Sequence, residues 1–200
     1  MREQKRRLMW PKVKAAFQFR LQRLWTVLYS RLVGVRTGKG TIIHVGAKLS
    51  RALGGDIRIG NQCKILPGAM LLSYGGNIEI GDNVSVNPYS VLYGHGGLRI
   101  GNGARIASHV VIVPSNHQIA PDRFIFEQPE TRLGVVIESD VWVGAGARIL
   151  DGVTVAQGTV VAAGAVLTRS TEPFGIYAGV PARKIGDRRD RVNSGTSEVG

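Results

Sequence analysis

Residues 135–168 read VVIESDVWVGAGARILDGVTVAQGTVVAAGAVLT. An aliphatic residue returns at every sixth position: Ile137, Val143, Ile149, Val155, Val161 and Leu167. Two positions before each of these stands another small or branched residue: Val135, Val141, Ala147, Val153, Thr159 and Ala165. A period of six fits neither an α-helix nor an isolated strand. It predicts a chain that forms a short strand, turns a corner and repeats, so that three sides close a coil of about 18 residues.

The same period extends towards the N-terminus, weakly from Ile43 and clearly from Ile57. Its aliphatic columns continue through three sets: Ile59, Ile65, Leu71; Ile80, Val86, Leu92; and Ile100, Ile106, Ile112. Gly60-Asn61, Gly81-Asp82-Asn83 and Gly101-Asn102-Gly103 fall where the corners should be, and these residue types tolerate the positive φ that tight corners often need. Cys63 lies within a repeat and is predicted to be a buried structural thiol.

The repeat is accompanied by Asp140-Val141-Trp142-Val143-Gly144-Ala145 and by the ending Tyr177-Ala178-Gly179-Val180-Pro181-Ala182-Arg183-Lys184-Ile185. With these motifs the chain resembles the hexapeptide-repeat acyltransferases, and among them the sugar and polysaccharide O-acetyltransferases, over about residues 40–186. The resemblance implies an all-β fold, a left-handed parallel β-helix, which is an exception to the usual right-handed crossover. It also implies acetyl-CoA as co-substrate and a homotrimer with each active site in the groove between neighbouring β-helices.

Charge divides the chain into an N-terminal arm (residues 1–39), a solenoid (40–186) and a polar tail (187–200) that we expect to be disordered. The arm carries eleven Lys and Arg and one acid, whereas residues 40–182 are neutral. From Lys12 to Val33 apolar residues recur at helical spacing: Val13, Phe17, Leu21, Leu24, Leu28 and Leu32, widened by Trp25 and Tyr29. This predicts an amphipathic helix ending near Gly34. It packs on its own solenoid or a sister subunit, or lies on an anionic membrane surface.

The arm does not indicate nucleic acid, because no recognised nucleic-acid motif accompanies the charge. With a single cysteine no intramolecular disulfide is possible, which favours a reducing compartment, and no secretory signal is recognisable. We therefore expect a cytoplasmic protein, with peripheral association through residues 12–33 at the inner face of the cell membrane as the membrane alternative.

The repeat stops after Ile112 and resumes at Val135. The interruption, residues 113–134, contains three prolines and is predicted to project as a loop that is neither strand nor long helix. His117 stands at its base, in Pro114-Ser115-Asn116-His117. An imidazole can act as a general base near neutral pH. The resembling acetyltransferases place at this point the histidine that deprotonates the acceptor while acetyl passes directly from coenzyme A, which implies the same role for His117.

The acceptor candidates are His95, Asn116 and Arg123. His95 and His109 should stand at corners, and the glycines around His95 would let a substrate approach the backbone. Asp122, Glu127 and Glu130 lie in the loop, and nothing in the sequence selects the one that orients His117. The histidine spacings from His44 onwards do not resemble the zinc site of the gamma-class carbonic anhydrases, so no metal is expected.

The coenzyme A candidates follow from the resemblance, which implies that Trp142 packs against the pantetheine arm. The backbone at Gly144, Ala145, Ala162 and Ala163 would run beside that arm, where an exposed amide could hold the developing oxyanion. Thr168, Arg169, Arg183 and Lys184 are expected to cluster at the C-terminal end of the solenoid, where their family counterparts contact adenine and phosphates.

These observations predict an O-acetyltransferase that moves acetyl from acetyl-CoA to a hydroxyl of a sugar or lipid-linked polysaccharide precursor. N-acetylation of an amino sugar nucleotide is the alternative within the same class, since the base is needed for either acceptor. A non-catalytic trimeric scaffold is the alternative of another class, because stacked repeats are stable without chemistry.

Overall fold

The computed structural model describes residue 18 and residues 20–193, with side chains described through residue 190. It confirms the predicted fold, an all-β parallel solenoid of about six turns with one N-terminal helix, consistent with a left-handed β-helix. Successive strands occupy three faces in rotation, and each face is one sheet.

Face A holds β1 (Arg36–Thr37), β4 (Asp56–Ile59), β7 (Asn77–Ile80), β10 (Leu98–Ile100), β15 (Val135–Ile137) and β18 (Thr154–Val155). Face B holds β2 (Ile42–Ile43), β5 (Lys64–Ile65), β8 (Ser85–Val86), β11 (Arg105–Ile106), β16 (Trp142–Val143), β19 (Val160–Val161), β21 (Gly175–Gly179) and β22 (Ala182–Asp187). Face C holds β3 (Lys48–Ser50), β6 (Met70–Leu72), β9 (Val91–Tyr93), β12 (Val111–Ile112), β17 (Arg148–Ile149) and β20 (Val166–Leu167).

The inward columns form the core, as the six-residue period predicts. Every aliphatic residue from Ile137 to Leu167 in that period is at most 1% exposed, and the preceding column from Val135 to Ala165 is at most 2% exposed. Apart from the last pair on face B, strands within a face pair in parallel and in register, for example Ile106 with Val86 and Val143. Each coil therefore adds one aliphatic layer per face to a continuous core. Cys63 lies in this core and is fully buried, as predicted.

Asparagine and aspartate stack along the corner between faces A and B. Asn61 Oδ1 accepts a hydrogen bond from the backbone N–H of Lys39, Asp82 Oδ1 accepts one from Asn61, and Asn102 Oδ1 accepts one from Asp82. Asn83 adopts φ +57°, as expected for a corner residue. These bonds satisfy corner amides that no strand can pair, which explains why the corners are rich in Asn and Asp.

Helix α1 (residues 20–32) lies against the N-terminal end of the solenoid and ends before Gly34, whose φ is +68°. Thr26 Oγ1 accepts a hydrogen bond from Ile43 N–H at 2.9 Å, and Gln22 Nε2 donates to Ile43 C=O at 3.1 Å. Within the described chain no strand precedes β2 on face B, so helix α1 hydrogen-bonds the backbone groups of Ile43 that such a strand would pair. The part of the predicted helix at residues 12–17 and at residue 19 lies outside the described residues.

The C-terminal end is closed by the antiparallel pair of β21 and β22. Asp187 ends β22, and residues Arg188–Asn193 form helix α2. The prediction of a disordered tail was therefore wrong over residues 187–193. Asp187 accepts hydrogen bonds from Arg189 that stabilise the start of α2. Residues 194–200 lie outside the described residues. No helix in the described part of the chain is long and apolar enough to cross a bilayer.

Candidate active site

The projecting loop (residues 113–134) leaves the solenoid between β12 on face C and β15 on face A. It contains an antiparallel pair, β13 (Asn116–His117) with β14 (Glu130–Thr131), and a 3-10 helix, η1 (Ile125–Glu127). The prediction that the loop holds no strand was wrong. Two of its three prolines, Pro114 and Pro129, stand just before the two short strands, at positions where the missing N–H is tolerated.

His117 is presented to solvent on β13, with 57% of its side chain exposed. Glu130 is its partner across the strand pair, and Glu130 Oε1 lies 3.8 Å from His117 Nε2. The other oxygen, Glu130 Oε2, accepts a hydrogen bond from Arg132 Nε at 3.2 Å. Of the three acids that the sequence left open, the structure thus brings Glu130 to His117, whereas Asp122 pairs with Arg123.

Asp151 and Gln128 hold the loop in place, and their roles were not predicted from the sequence. Asp151 Oδ1 accepts hydrogen bonds from the backbone N–H groups of Leu133 and Gly134, both at 3.0 Å. Gln128 is buried and bonds both backbone groups of Ala120 through its amide. The sequence feature that could have revealed the role of Asp151 is its separation from Leu133, because 18 residues make one coil and place the two residues next to each other.

His95 lies at the same corner, one coil nearer the N-terminus. Its ring packs against both Tyr74 and Tyr93, with centroid distances of 5.1 and 5.6 Å, and the two tyrosine rings stack on each other at 5.8 Å. The adjacent Gly96 is pressed against the base of the loop, because a Cβ there would come 2.8 Å from Gly134 N. His95 Nδ1 is buried and has no hydrogen-bond partner among the described residues. The structure thus brings His95 close to the loop that carries the acceptor candidates Asn116 and Arg123, both exposed.

Trp142 lies on face B with 55% of its surface exposed, as an outward-facing residue should. The following turn stacks closely on the next coil, since Gly144 N–H donates to Val161 C=O at 2.7 Å and Gly164 N–H donates to Ala145 C=O at 2.8 Å. A Cβ on Gly144 would lie 2.6 Å from Ala163 N. The structure therefore brings together the predicted pantetheine surface: Trp142, Gly144, Ala145, Ala162 and Ala163.

The four predicted phosphate contacts do not form one cluster. Thr168 and Arg169 follow β20 at the corner between faces C and A, whereas Arg183 and Lys184 lie on β22 of face B. The two pairs are separated because the chain, after β20 on face C, passes along face A before β21 begins on face B. Lys184 Nζ contacts Glu172 at 2.7 Å and Asp187 at 3.3 Å, and the hydrogen bond to Glu172 raises the pKa of Lys184.

The candidate residues thus occupy two sides of one chain. In a triangular solenoid, face B lies opposite the corner between faces C and A. His117, His95 and Arg169 lie at that corner, whereas Trp142 and Arg183 lie on face B. Within one chain, the order of strands therefore places the predicted base and the predicted pantetheine surface apart.

Among the described residues, no three His, Cys, Asp or Glu side chains come close enough together to bind a metal ion. His44 and His109 lie at the corner between faces B and C, three coils apart, and His109 has φ +61° and is stacked on Tyr89.

Comparison with known sequences identifies the repeat. Residues 134–169 match the family model described as bacterial transferase hexapeptide (six repeats). A 2,3,4,5-tetrahydropyridine-2,6-dicarboxylate N-acetyltransferase from Staphylococcus aureus strain JH9 is 45% identical over 58 residues, which are 29% of this chain and 24% of the relative. The chain thus spans about a quarter of the length of the curated relatives it matches.

Solved structures share the fold over most of the chain. A variant of AntD, an N-acyltransferase from Bacillus cereus, in complex with dTDP-4-amino-4,6-dideoxyglucose and coenzyme A, superposes with a TM-score of 0.69 at 25% identity, covering 82% of this chain and 90% of that chain. The hexapeptide-repeat acetyltransferase VCA0836 from Vibrio cholerae gives a TM-score of 0.57 at 23% identity, covering 87% and 89%. Together with the matched repeat, these likenesses show that the chain has the hexapeptide-repeat solenoid fold that these acyltransferases share.

Proposed function

We propose that this protein is a coenzyme A-dependent acyltransferase that acylates the amine of an amino sugar nucleotide, with His117 as general base. The observation that carries the proposal is the pairing of His117 with Glu130 on a loop that rises from a hexapeptide solenoid. The comparisons favour nitrogen as the acceptor, since the curated relative and AntD are both named for N-acyl transfer. They support this alternative better than transfer to a hydroxyl of a sugar or polysaccharide precursor.

In the proposed reaction the amine nitrogen attacks the thioester carbonyl carbon of acetyl-CoA. The N–C bond forms, the C–S bond breaks, His117 accepts the proton that nitrogen loses, and coenzyme A leaves as the thiol after taking up a proton. Glu130, as the partner of His117, favours the imidazolium that forms. A backbone amide at Ala145 or Ala163 would stabilise the oxyanion, an effect of about 3 kcal/mol in well-studied cases.

The site is completed by a second copy of the chain. One chain leaves His117 at the corner between faces C and A, while Trp142 lies on face B opposite. In a homotrimer of parallel solenoids the corner of one copy can meet face B of its neighbour. His95, whose buried Nδ1 lacks a partner among the described residues, would then line the acceptor side, and Trp142 the coenzyme A side.

The test is turnover with acetyl-CoA, followed by thiol release, using dTDP-4-amino-4,6-dideoxyglucose against its 4-hydroxyl counterpart. Release with the amine alone supports N-transfer; release with the hydroxyl compound alone would return the reaction to O-transfer. His117→Ala should lower kcat by about 100-fold or more while calorimetry still detects coenzyme A. His44→Gln, at a corner of the first coil, is the matched control and should keep full activity.

The scaffold hypothesis makes a different prediction for the same protein. A β-helix without chemistry would bind no coenzyme A at millimolar concentration, and His117→Ala would change nothing measurable. Either result would contradict the proposed function.

A further inference from the structure

Two sides of helix α1 differ in their contacts. The side on the solenoid mixes polar and apolar side chains: Thr26 and Ser30 are 3% and 5% exposed, and Tyr29 and Val33 pack against the core. A neighbouring side carries the leucines of the predicted apolar stripe, which do not pack on the solenoid. They are exposed to solvent: Leu21 by 51%, Leu24 by 57%, Leu28 by 57% and Leu32 by 84%. Four leucines at spacings of three and four form one continuous stripe on a helix.

The reason for this reversal lies in what the solenoid offers. Its N-terminal end exposes the unpaired backbone groups of Ile43, and Gln22 and Thr26 satisfy them. Leucine could not donate or accept there, so the side of the helix that carries Gln22 and Thr26 is the one that packs on the solenoid. The leucine stripe is consequently not a core-forming face, and its exposure requires another explanation.

Basic residues border the stripe. Arg20 lies one turn before Leu24, and Arg31 lies three residues after Leu28, so both flank the leucines on the helix surface. Residues 1–39 as a whole carry a net charge of +10, whereas residues 40–182 are neutral. Trp25, stacked on Tyr29, stands at the other edge of the stripe. Leu21 and Trp25 also line a cavity of about 1000 Å³ that continues the apolar surface onto face B.

The charge decides between possible occupants. A second copy docking through the leucine stripe would bring the flanking Arg20 and Arg31 of two helices together, which is electrostatically unfavourable. An anionic lipid surface offers the opposite charge to the arginines and a boundary layer that accepts leucine and tryptophan side chains. We propose that the exposed leucine face of α1 docks this protein peripherally on an anionic bilayer, with the helix lying in the plane of the headgroups. This inference does not depend on the proposed acyltransferase activity.

The experiment is flotation of the full chain with vesicles of phosphatidylcholine containing about one-third phosphatidylglycerol, compared with phosphatidylcholine alone. We expect binding to the anionic vesicles only, and release as salt rises from 0.1 to 1 M, because the screening length falls from about 10 to about 3 Å. The variant Leu24→Gln/Leu28→Gln should bind roughly ten-fold more weakly.

Two further variants keep the outcome interpretable. Leu32→Gln changes a residue that is 84% exposed, so it should weaken vesicle binding without affecting the fold, checked by circular dichroism. Leu53→Gln is the control, since Leu53 is equally exposed but lies outside the helix. Equal binding to neutral vesicles, or undiminished binding of the leucine variants, would overturn the proposal. Absence of vesicle binding by the unmodified protein, with dissociation of its oligomer in Leu24→Gln/Leu28→Gln, would assign the stripe to contacts between copies.

Discussion

Glu130 faces His117 across the two short strands of the projecting loop, with Oε1 3.8 Å from Nε2. Its second oxygen is held by Arg132 at 3.2 Å, and the base of the loop is fixed by Asp151. The carboxylate is therefore positioned by its surroundings, while the imidazole remains exposed. A distance of 3.8 Å is longer than a hydrogen bond, and such contacts in catalytic sites often tighten when substrate binds.

We predict that Glu130→Gln lowers kcat about ten-fold and leaves the KM for acetyl-CoA unchanged. The amide keeps the shape of the side chain but removes the negative charge that favours the imidazolium formed during transfer. Steady-state kinetics at saturating acceptor separate the two parameters. A rise in KM with unchanged kcat would instead mean that Glu130 contributes to binding.

Glu127→Gln is the matched control, because Glu127 belongs to the same loop but lies in η1. It should retain the kcat of the unmodified protein. Glu130→Asp keeps the charge at a shorter reach and should recover part of the loss. Equal losses in the Glu127 and Glu130 variants would show that the loop tolerates no substitution, and the positioning role would be rejected.

The solenoid could be predicted from the sequence because its signal is local and repeated. Each buried residue, such as Ile149, has an equivalent six positions away, so the pattern reinforces itself along the chain. The strands of the loop offered no such signal. β13 and β14 are two residues long, and their pairing joins Asn116 to Thr131 across a segment without periodicity. The choice of Glu130 among the loop acids therefore required the structure.

The N-terminal helix shows a second limit of sequence reasoning. Its apolar period correctly indicated a helix over the described residues 20–32. It gave no information on the partner surface, which is an open strand edge with unpaired amides. Thr26, which lies outside the apolar pattern, hydrogen-bonds that edge, and of the pattern's residues Tyr29 packs on the core whereas the leucines are exposed. Likewise, the division of Trp142 and His117 between opposite sides depends on strand order, which residue type does not encode.

Thr26→Val should destabilise the protein by about 1–3 kcal/mol, the usual cost of leaving a buried amide without its acceptor. Valine has nearly the same shape as threonine, so packing is preserved while the buried N–H of Ile43 loses its 2.9 Å hydrogen bond. Urea denaturation followed by circular dichroism measures the change. Val27→Ala, at a neighbouring position that is 45% exposed, should cost well under half of that. Equal effects of the two variants would contradict the stabilising role of the hydrogen bond between Ile43 N–H and Thr26 Oγ1.

Cys63 should be unreactive in the folded protein. Its side chain is fully buried, its Sγ lies 3.0 Å from Gly81 C=O, and burial raises the pKa of the thiol. Because the thiolate is the reactive form, both access and ionisation are disfavoured. We predict that a disulfide reagent such as DTNB modifies no thiol in native protein and one per chain in urea. Rapid modification without denaturant would contradict the burial of this coil.

The shared site can be tested by mixing two inactive proteins. His117→Ala damages the loop, and Trp142→Ala damages face B, so in the proposed homotrimer each protein alone should turn over poorly. In a mixed trimer, the intact loop of a Trp142→Ala chain can meet the intact face B of a His117→Ala chain. Random assembly at equal amounts should then restore about a quarter of the sites. Refolding the two proteins together from urea and measuring thiol release checks this.

Mixing His117→Ala with Glu130→Gln provides the control, because both substitutions lie on the same loop and no intact loop is present in any combination. That mixture should show only the average activity of its parents, whereas the Trp142 mixture should exceed its parents. If each site were built within one chain, neither mixture could gain activity, since every chain would carry one defect. The gain in one mixture and its absence in the other therefore distinguishes a site between copies from a site within one solenoid.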